Sequence, residues 1–320
     1  MRNMKTGLVT AMLLFSVNTN WAQTNLEIKA NNHMAAGDFD LARPILDGLS
    51  NDTLYTNSYE YWYLKGYLYK ELYKRDQSSD RNSAYRNRAI KYYKKSMKLD
   101  KDGTKKDKNK NAVKFLGIRC YNDAVSSLDI IYYKTALTNF EKYIDAMSTI
   151  GFPGNGLDSI RVQFNLALAS VYTKIYERSR DHDKESWDNT VTIFKEVLTM
   201  DSNNFSANYN LGILFYNRAV DIIMVEMSGL VDLVTLAMIQ DRCVDLFKDA
   251  LPYLQKAHQI ELPNLAVIEG LAGIYFSLNE IEKSNYYKEL LDKLQNNTAE
   301  EPLRVIENHR TEHDWYNWKD

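Results

Sequence analysis

Ala207-Asn208-Tyr209-Asn210-Leu211-Gly212-Ile213-Leu214-Phe215, followed further along by Ala250-Leu251-Pro252-Tyr253-Leu254-Gln255-Lys256-Ala257, decides the fold. In the first stretch apolar residues return at helical spacing, and Gly212 puts the smallest possible side chain on the apolar face. In the second, Ala250, Leu254 and Ala257 lie four and three residues apart and therefore share one helix face. A small residue on one helix, facing a small–large–small row on the next, is what two closely crossing helices require.

The same pairing returns five more times. Ala35-Ala36-Gly37-Asp38-Phe39 turns into a helix through Ile45-Leu46, and Tyr61 to Tyr69 leads to Ala89 to Ser96. Phe115-Leu116-Gly117-Ile118 leads to Ala136 to Phe140, Leu166 to Tyr172 leads to Val191 to Phe194, and Leu271 to Tyr275 leads to Ser284 to Tyr287. Gly66, Gly117, Ala169, Gly212 and Ala272 are small where helices cross. Tyr69, Cys120, Tyr172, Phe215 and Tyr275, three residues on, fill the space beside them. Asp100, Asp201 and Pro263 fall in loops between successive pairs.

These pairs resemble the tetratricopeptide repeat, a helix-turn-helix unit with L-G-x2-Y in one helix and A-x3-F in the next. The resemblance covers about residues 25 to 294. It implies an all-α fold, a right-handed superhelix (α-solenoid) of about six hairpins, with first helices lining a concave binding surface. The domain reading is residues 1–22 a signal peptide, 23–294 the solenoid, and 295–320 a C-terminal capping helix and aromatic tail.

Spacing departs from the minimal repeat in an orderly way. Ala30 to Ala42 and Ala272 to Ser284 are 12 residues apart, whereas Gly66–Ala89, Gly117–Ala136, Ala169–Thr190 and Gly212–Ala250 are separated by 23, 19, 21 and 38. Pro and Gly are scarce in these additions, so they read as extra helical turns. The fifth insertion, Val220 to Ile239, is strongly apolar. Met224, Met227, Leu230 and Leu233 are expected to form either an apolar contact surface, including a possible homo-oligomer contact, or the inside of a widened core.

Composition sets outer limits. The chain has 320 residues, 45% apolar and 26% charged, with only 13 Gly and 5 Pro, which excludes disordered and collagen-like sequence. Arg2 and Lys5, the apolar run Gly7 to Val17 and the polar exit to Ala22 have the layout of a secretory signal peptide. Cleavage is expected near Ala22, without lipidation because no Cys lies beside the cut, which places the chain in the periplasm or at the cell surface. The two cysteines, Cys120 and Cys243, belong to non-adjacent hairpins and are expected as separate buried thiols.

Net charge is −2, but residues 65 to 110 carry +10. Lys101, Lys105, Lys106, Lys108 and Lys110 read as a solvated loop, better suited to an anionic surface or acidic protein than to nucleic acid. Tyr is over-used, with 23 residues. Projecting each first helix with its small residue against its partner turns several of these towards the expected groove. They are Tyr63, Tyr67 and Lys70 in the second pair; Lys114, Tyr121 and Asn122 in the third; Thr173 in the fourth; Tyr209, Tyr216 and Asn217 in the fifth; and Phe276 in the sixth. An apolar ring with a polar tip suits a peptide or sugar surface. Tyr67, Ile118 and Ile213 stand where an Asn would be needed to clamp a C-terminal carboxylate, so a chaperone-tail receptor is not expected.

No phosphate loop, G-x-S-x-G or Cys–His pairing is present. His309-Arg310-Thr311-Glu312-His313 fits the inverted zinc-peptidase pattern, but that chemistry needs a further ligand downstream and only the polar tail Asp314 to Asp320 remains, so no metal, cofactor or catalysis is expected. Pro302 to His313 reads instead as a short capping helix, with Trp315 and Trp318 as anchors. The expected function is a non-enzymatic protein-interaction or assembly scaffold that binds a protein or peptide in the Tyr-rich groove. The alternative is a carrier of a small apolar or carbohydrate ligand between the long middle hairpins.

Overall fold

The computed structural model describes residues 25–178, 184–226, 232–296 and 301–313. The expected leader, its cleavage point at Ala22, Met227, Leu230, Trp315 and Trp318 lie outside the described residues. Among the described residues every regular element is a helix, and six hairpins follow one another as the sequence indicates. The chain divides into two compact units, Met1–Leu157 and Asp158–Asp320.

In the first unit a helix over 25–36 (α1) turns at Gly37, whose φ of +82° suits glycine, into α2 (Phe39–Gly48). The short α3 (Thr53–Thr56) is followed by the hairpins α4 (Tyr59–Asp76)/α5 (Ala84–Leu99) and α6 (Lys106–Val125)/α7 (Tyr133–Thr149). Ser58 and Ser83 begin α4 and α5 by accepting the backbone N–H three residues on. The lysine run is therefore only partly a loop. Lys106, Lys108 and Lys110 form the first turn of α6, with Asp100 folding back to accept the N–H groups of Thr104 and Lys105.

Much of the tyrosine surplus is consumed between helices. Tyr61, Tyr69, Tyr73 and Tyr93 are at most 1% exposed. Tyr61 Oη donates to the Leu46 carbonyl at 2.7 Å, and Tyr69 Oη donates to Asp47 Oδ2 at 2.7 Å. Burial pushes the phenols of both up to about 12. Beside them Lys65, itself buried, reaches Asp47 Oδ1 at 2.8 Å and Ser50 Oγ at 2.7 Å, with its ammonium 4.8 Å from the Tyr92 ring centre. A second polar knot joins three helices. Arg86 of α5 pairs with Asp123 of α6, donates to Asn139 Oδ1 of α7 at 2.8 Å, and also to the Arg81 carbonyl at 2.7 Å.

In the second unit α8 (Gly154–Arg178) and α9 (Lys184–Met200) are followed by α10 (Phe205–Glu226), α11 (Leu233–Ile260), α12 (Leu265–Ser277), α13 (Ile281–Asn296) and α14 (Pro302–Glu312). The expected added turns are present: α10 and α11 have 22 and 28 residues, against 13 and 16 for α12 and α13. Leu254 of α11 fills the space over Gly212. A Cβ built there would lie 2.7 Å from Leu254 Cγ and 3.3 Å from the Ala250 carbonyl oxygen. In the sixth hairpin Ser284 Oγ donates to the Ala272 carbonyl at 2.9 Å, joining the two small residues that the sequence paired. α14 packs on α13 with Val305, Ile306 and His309 buried. Cys120 and Cys243 are free, buried thiols in separate hairpins.

His258, near the end of α11, is 8% exposed. Its ring lies 5.7 Å from that of Tyr287, nearly perpendicular. Burial, with the nearby Arg310 cation adding to it, pushes its pKa down to about 4.

Two outcomes follow from this packing. Gly212→Ala gains about 1 kcal/mol of helix propensity, but the branch point of Leu254 and a main-chain oxygen must move, so a net loss of about 1–3 kcal/mol is expected in urea unfolding. Gly48→Ala, where nothing lies within 4 Å of the new Cβ, is expected to be neutral or stabilising. His258 is held neutral in the fold and protonates near 6.5 once unfolded, so the unfolded state binds more protons between these values. Stability is then complete above about pH 6.5 and falls as pH drops to about 4, by on the order of 3 kcal/mol. Unfolding curves of His258→Leu across that range are expected to be flatter than those of the natural chain.

Candidate functional site

A cleft of about 270 Å³ opens between α8 and α10 in the second unit. It follows directly from helical spacing. Thr173, Tyr176 and Glu177 form one face of α8, while Asn210, Ile213, Leu214, Asn217, Val220 and Asp221 form one stripe of α10 at steps of three and four. The small Ala169 sits at the root of this face of α8, buried in the core shared with α10.

The cleft has an apolar floor and a polar rim. Ile213, Leu214 and Val220 supply the floor, and Glu177 and Asp221 place one carboxylate on each helix. Thr173 Oγ1 donates to the Ala169 carbonyl at 2.9 Å, and the Asn210 amide nitrogen donates to the Ser206 carbonyl at 2.7 Å. The Asn210 side chain therefore offers its oxygen as an acceptor. Tyr176 Oη accepts from Arg218 Nη1 at 3.0 Å, which fixes the ring at the cleft edge. Two acids, two amides and an apolar floor suit an extended chain segment with a cationic side chain, the amides meeting its peptide groups.

Of the residues expected in the groove, Thr173 and Asn217 line this cleft. Tyr209 instead stacks on Phe205, with ring centres 5.7 Å apart and nearly parallel. Tyr216 packs on Phe247 and over Gly273, so its ring belongs to the core. Phe276 is 59% exposed, beneath the Lys288 ammonium. In the first unit Tyr63 leans on Tyr93 under Lys105, Tyr67 lies under Lys70, and Lys70 pairs with Glu71 at 3.1 Å. Tyr121 packs on Tyr143, while Lys114 and Asn122 are exposed. Tyr176, Glu177, Asn210 and Asp221, which the sequence reading does not single out, line the cleft too. Each lies three, four or seven residues from Thr173 or Asn217 on the same stripe, a signal obscured by weighting aromatic residues over amides and acids.

Around the 227–231 segment the apolar residues divide sharply. Ile222 and Ile239 are buried, and the Arg242 guanidinium clasps Glu226 with contacts of 3.0 and 3.1 Å across α10 and α11. Beyond that clasp Met224, Val225, Leu233, Val234 and Met238 are all more than 60% exposed. No described helix is long and apolar enough to cross a membrane. At the far end of the unit, His309 of α14 and His313, the residue that ends it, meet Glu289 of α13, which lies upstream of the H-x-x-E-H pattern rather than downstream.

The helices pair as hairpins in chain order. No protein-family model matches the chain. No curated protein matches it either. Similar solved structures include Pseudomonas aeruginosa pilF, at 11% identity over 92% of this chain and 98% of that one, with a TM-score of 0.30. MamA is 12% identical over 79% of this chain and 96% of that one, at 0.29. PilW, a type IV pilus biogenesis factor, is 14% identical over 89% and 98%, at 0.27. At these scores the likeness says nothing about function.

Light scattering tests the exposed apolar residues. Each such side chain gains about 1.5–3 kcal/mol on full burial, so the natural chain is expected to self-associate through them. Met224→Asp/Leu233→Asp is expected to be a folded monomer, and a natural chain of monomeric mass would rule out this contact between copies.

Proposed function

We propose that the chain is an exported, non-enzymatic binding scaffold of the tetratricopeptide type, and that the α8/α10 cleft holds an extended segment of a protein partner. The observation carrying this reading is the composition of the cleft. Glu177 of α8 and Asp221 of α10 line it together with the apolar Ile213, Leu214 and Val220, and Asn210 and Asn217 lie two helical turns apart on α10. An asparagine amide can both donate to a peptide carbonyl and accept from a peptide N–H, so two of them in register hold main chain irrespective of its side chains. The paired acids then select a Lys or Arg in that segment. The export part of the proposal rests on the residue 1–22 leader pattern.

The test is selection from a displayed random-peptide library on the full chain. Lys- or Arg-containing peptides are expected to be enriched. Their affinity is expected to fall about tenfold in Asn217→Ala and in Asp221→Asn, the worth of one hydrogen bond to a charged group. Peptides that bind both variants as well as the natural chain would place the binding surface elsewhere.

A further inference from the structure

Four polar side chains meet where the last helix packs on α13. α13 presents Glu289 and Lys293, α14 presents His309, and His313 is the residue that ends α14. The ligand atoms of Glu289, His309 and His313 lie within 4.8 Å of one another. His313 Nε2 is 3.4 Å from Glu289 Oε2, close to the separation of about 3.3 Å between ligands on a tetrahedral zinc with bonds near 2.05 Å. Closing the set needs the ligand atoms to approach by at most about 1.5 Å.

Both rings are already oriented as metal ligands are. His309 Nε2 donates to the Tyr286 carbonyl at 2.9 Å, and His313 Nδ1 donates to the His309 carbonyl at 3.0 Å. A backbone carbonyl on one ring nitrogen fixes the tautomer and turns the lone pair of the other towards the ligand. The remaining nitrogens, His309 Nδ1 and His313 Nε2, both face the Glu289–Lys293 side of α13. A cation already stands there: the Lys293 ammonium is 3.3 Å from His309 Nδ1.

We propose that Glu289, His309 and His313 form a site for a zinc-class divalent transition metal, and that the Lys293 ammonium occupies it when the metal is absent. Two imidazoles and one carboxylate favour zinc, copper or nickel over calcium or magnesium, which prefer all-oxygen sets. The three ligands leave a fourth position for water. Because the ligands come from two helices, the ion pins α14 to α13 and couples metal binding to the docking of the cap. Lys293 has a long flexible stem and is half-buried, so it can swing to solvent as the ion enters.

The experiment uses the untagged full chain stripped with EDTA and titrated with zinc chloride against a competing chromophoric chelator, with limited proteolysis of α14 followed in parallel. One zinc per chain is expected, with slower cleavage after α13 and no such effect of calcium or magnesium. His313→Ala and Glu289→Gln leave the buried His309 in place, and each is expected to weaken binding at least about tenfold. Lys293→Met removes the resident cation and is expected to bind zinc about tenfold more tightly. The proposal is overturned if the natural chain takes up no zinc, if binding survives His313→Ala, or if Lys293→Met binds no more tightly than the natural chain.

Discussion

Leu254 is the point on which the second unit turns. Its branch carbon sits over Gly212 of α10, and one of its methyls lies where a side chain at position 270 of α12 would begin. One leucine thus fills two gaps left by two glycines and holds α11 between its neighbours at close range. Close-packed interiors have no slack for an extra carbon, so the distance between these three helices is set by what is absent at 212 and 270. The α8/α10 cleft depends on the same placement, because the stripe of α10 that lines it lies on the helix that Leu254 positions.

The first unit is held by a different means. Lys65 and Arg86 are buried cations whose partners lie on other helices, Asp47 and Ser50 for one, Asp123 and Asn139 for the other. Such pairs gain little net free energy over apolar packing, since both charges lose water, but a mismatched alternative would strand a charge at a cost of about 3–5 kcal/mol. They therefore fix which helices meet and in what register. Tyr61 and Tyr69 serve the same end, because their phenols reach the Leu46 carbonyl and Asp47 as their rings are packed away.

The hairpins were legible in the sequence because small–large spacing is a local signal. Gly212 with Ala250, and Ala272 with Ser284, need only the period of the helix to be read. What escaped depends on contacts between elements distant in the chain. Nothing near Tyr216 shows that its ring packs over Gly273, and nothing near Lys65 shows that Asp47 awaits it. Helix projection alone turns Thr173 and Asn217 to the stripe that lines the cleft, whereas acids such as Glu177 and Asp221 are too common on helix faces to stand out. Glu289 could not be joined to His309 without knowing that α14 folds back along α13. The lysine run became partly helix because Asp100 supplies the turn that starts α6, which charge alone does not reveal.

Within each unit the helices pack mostly on those next to them, or next but one, in the chain. Few long loops have to close before contacts repay them, which places this architecture among rapid folders whose structure can begin at any hairpin and spread. The ends of such an array are its least anchored parts, being supported from one side only. α14, which rests on α13, is thus the element whose departure costs the unit least, and its attachment is a dial for how readily the array frays from its C-terminal side.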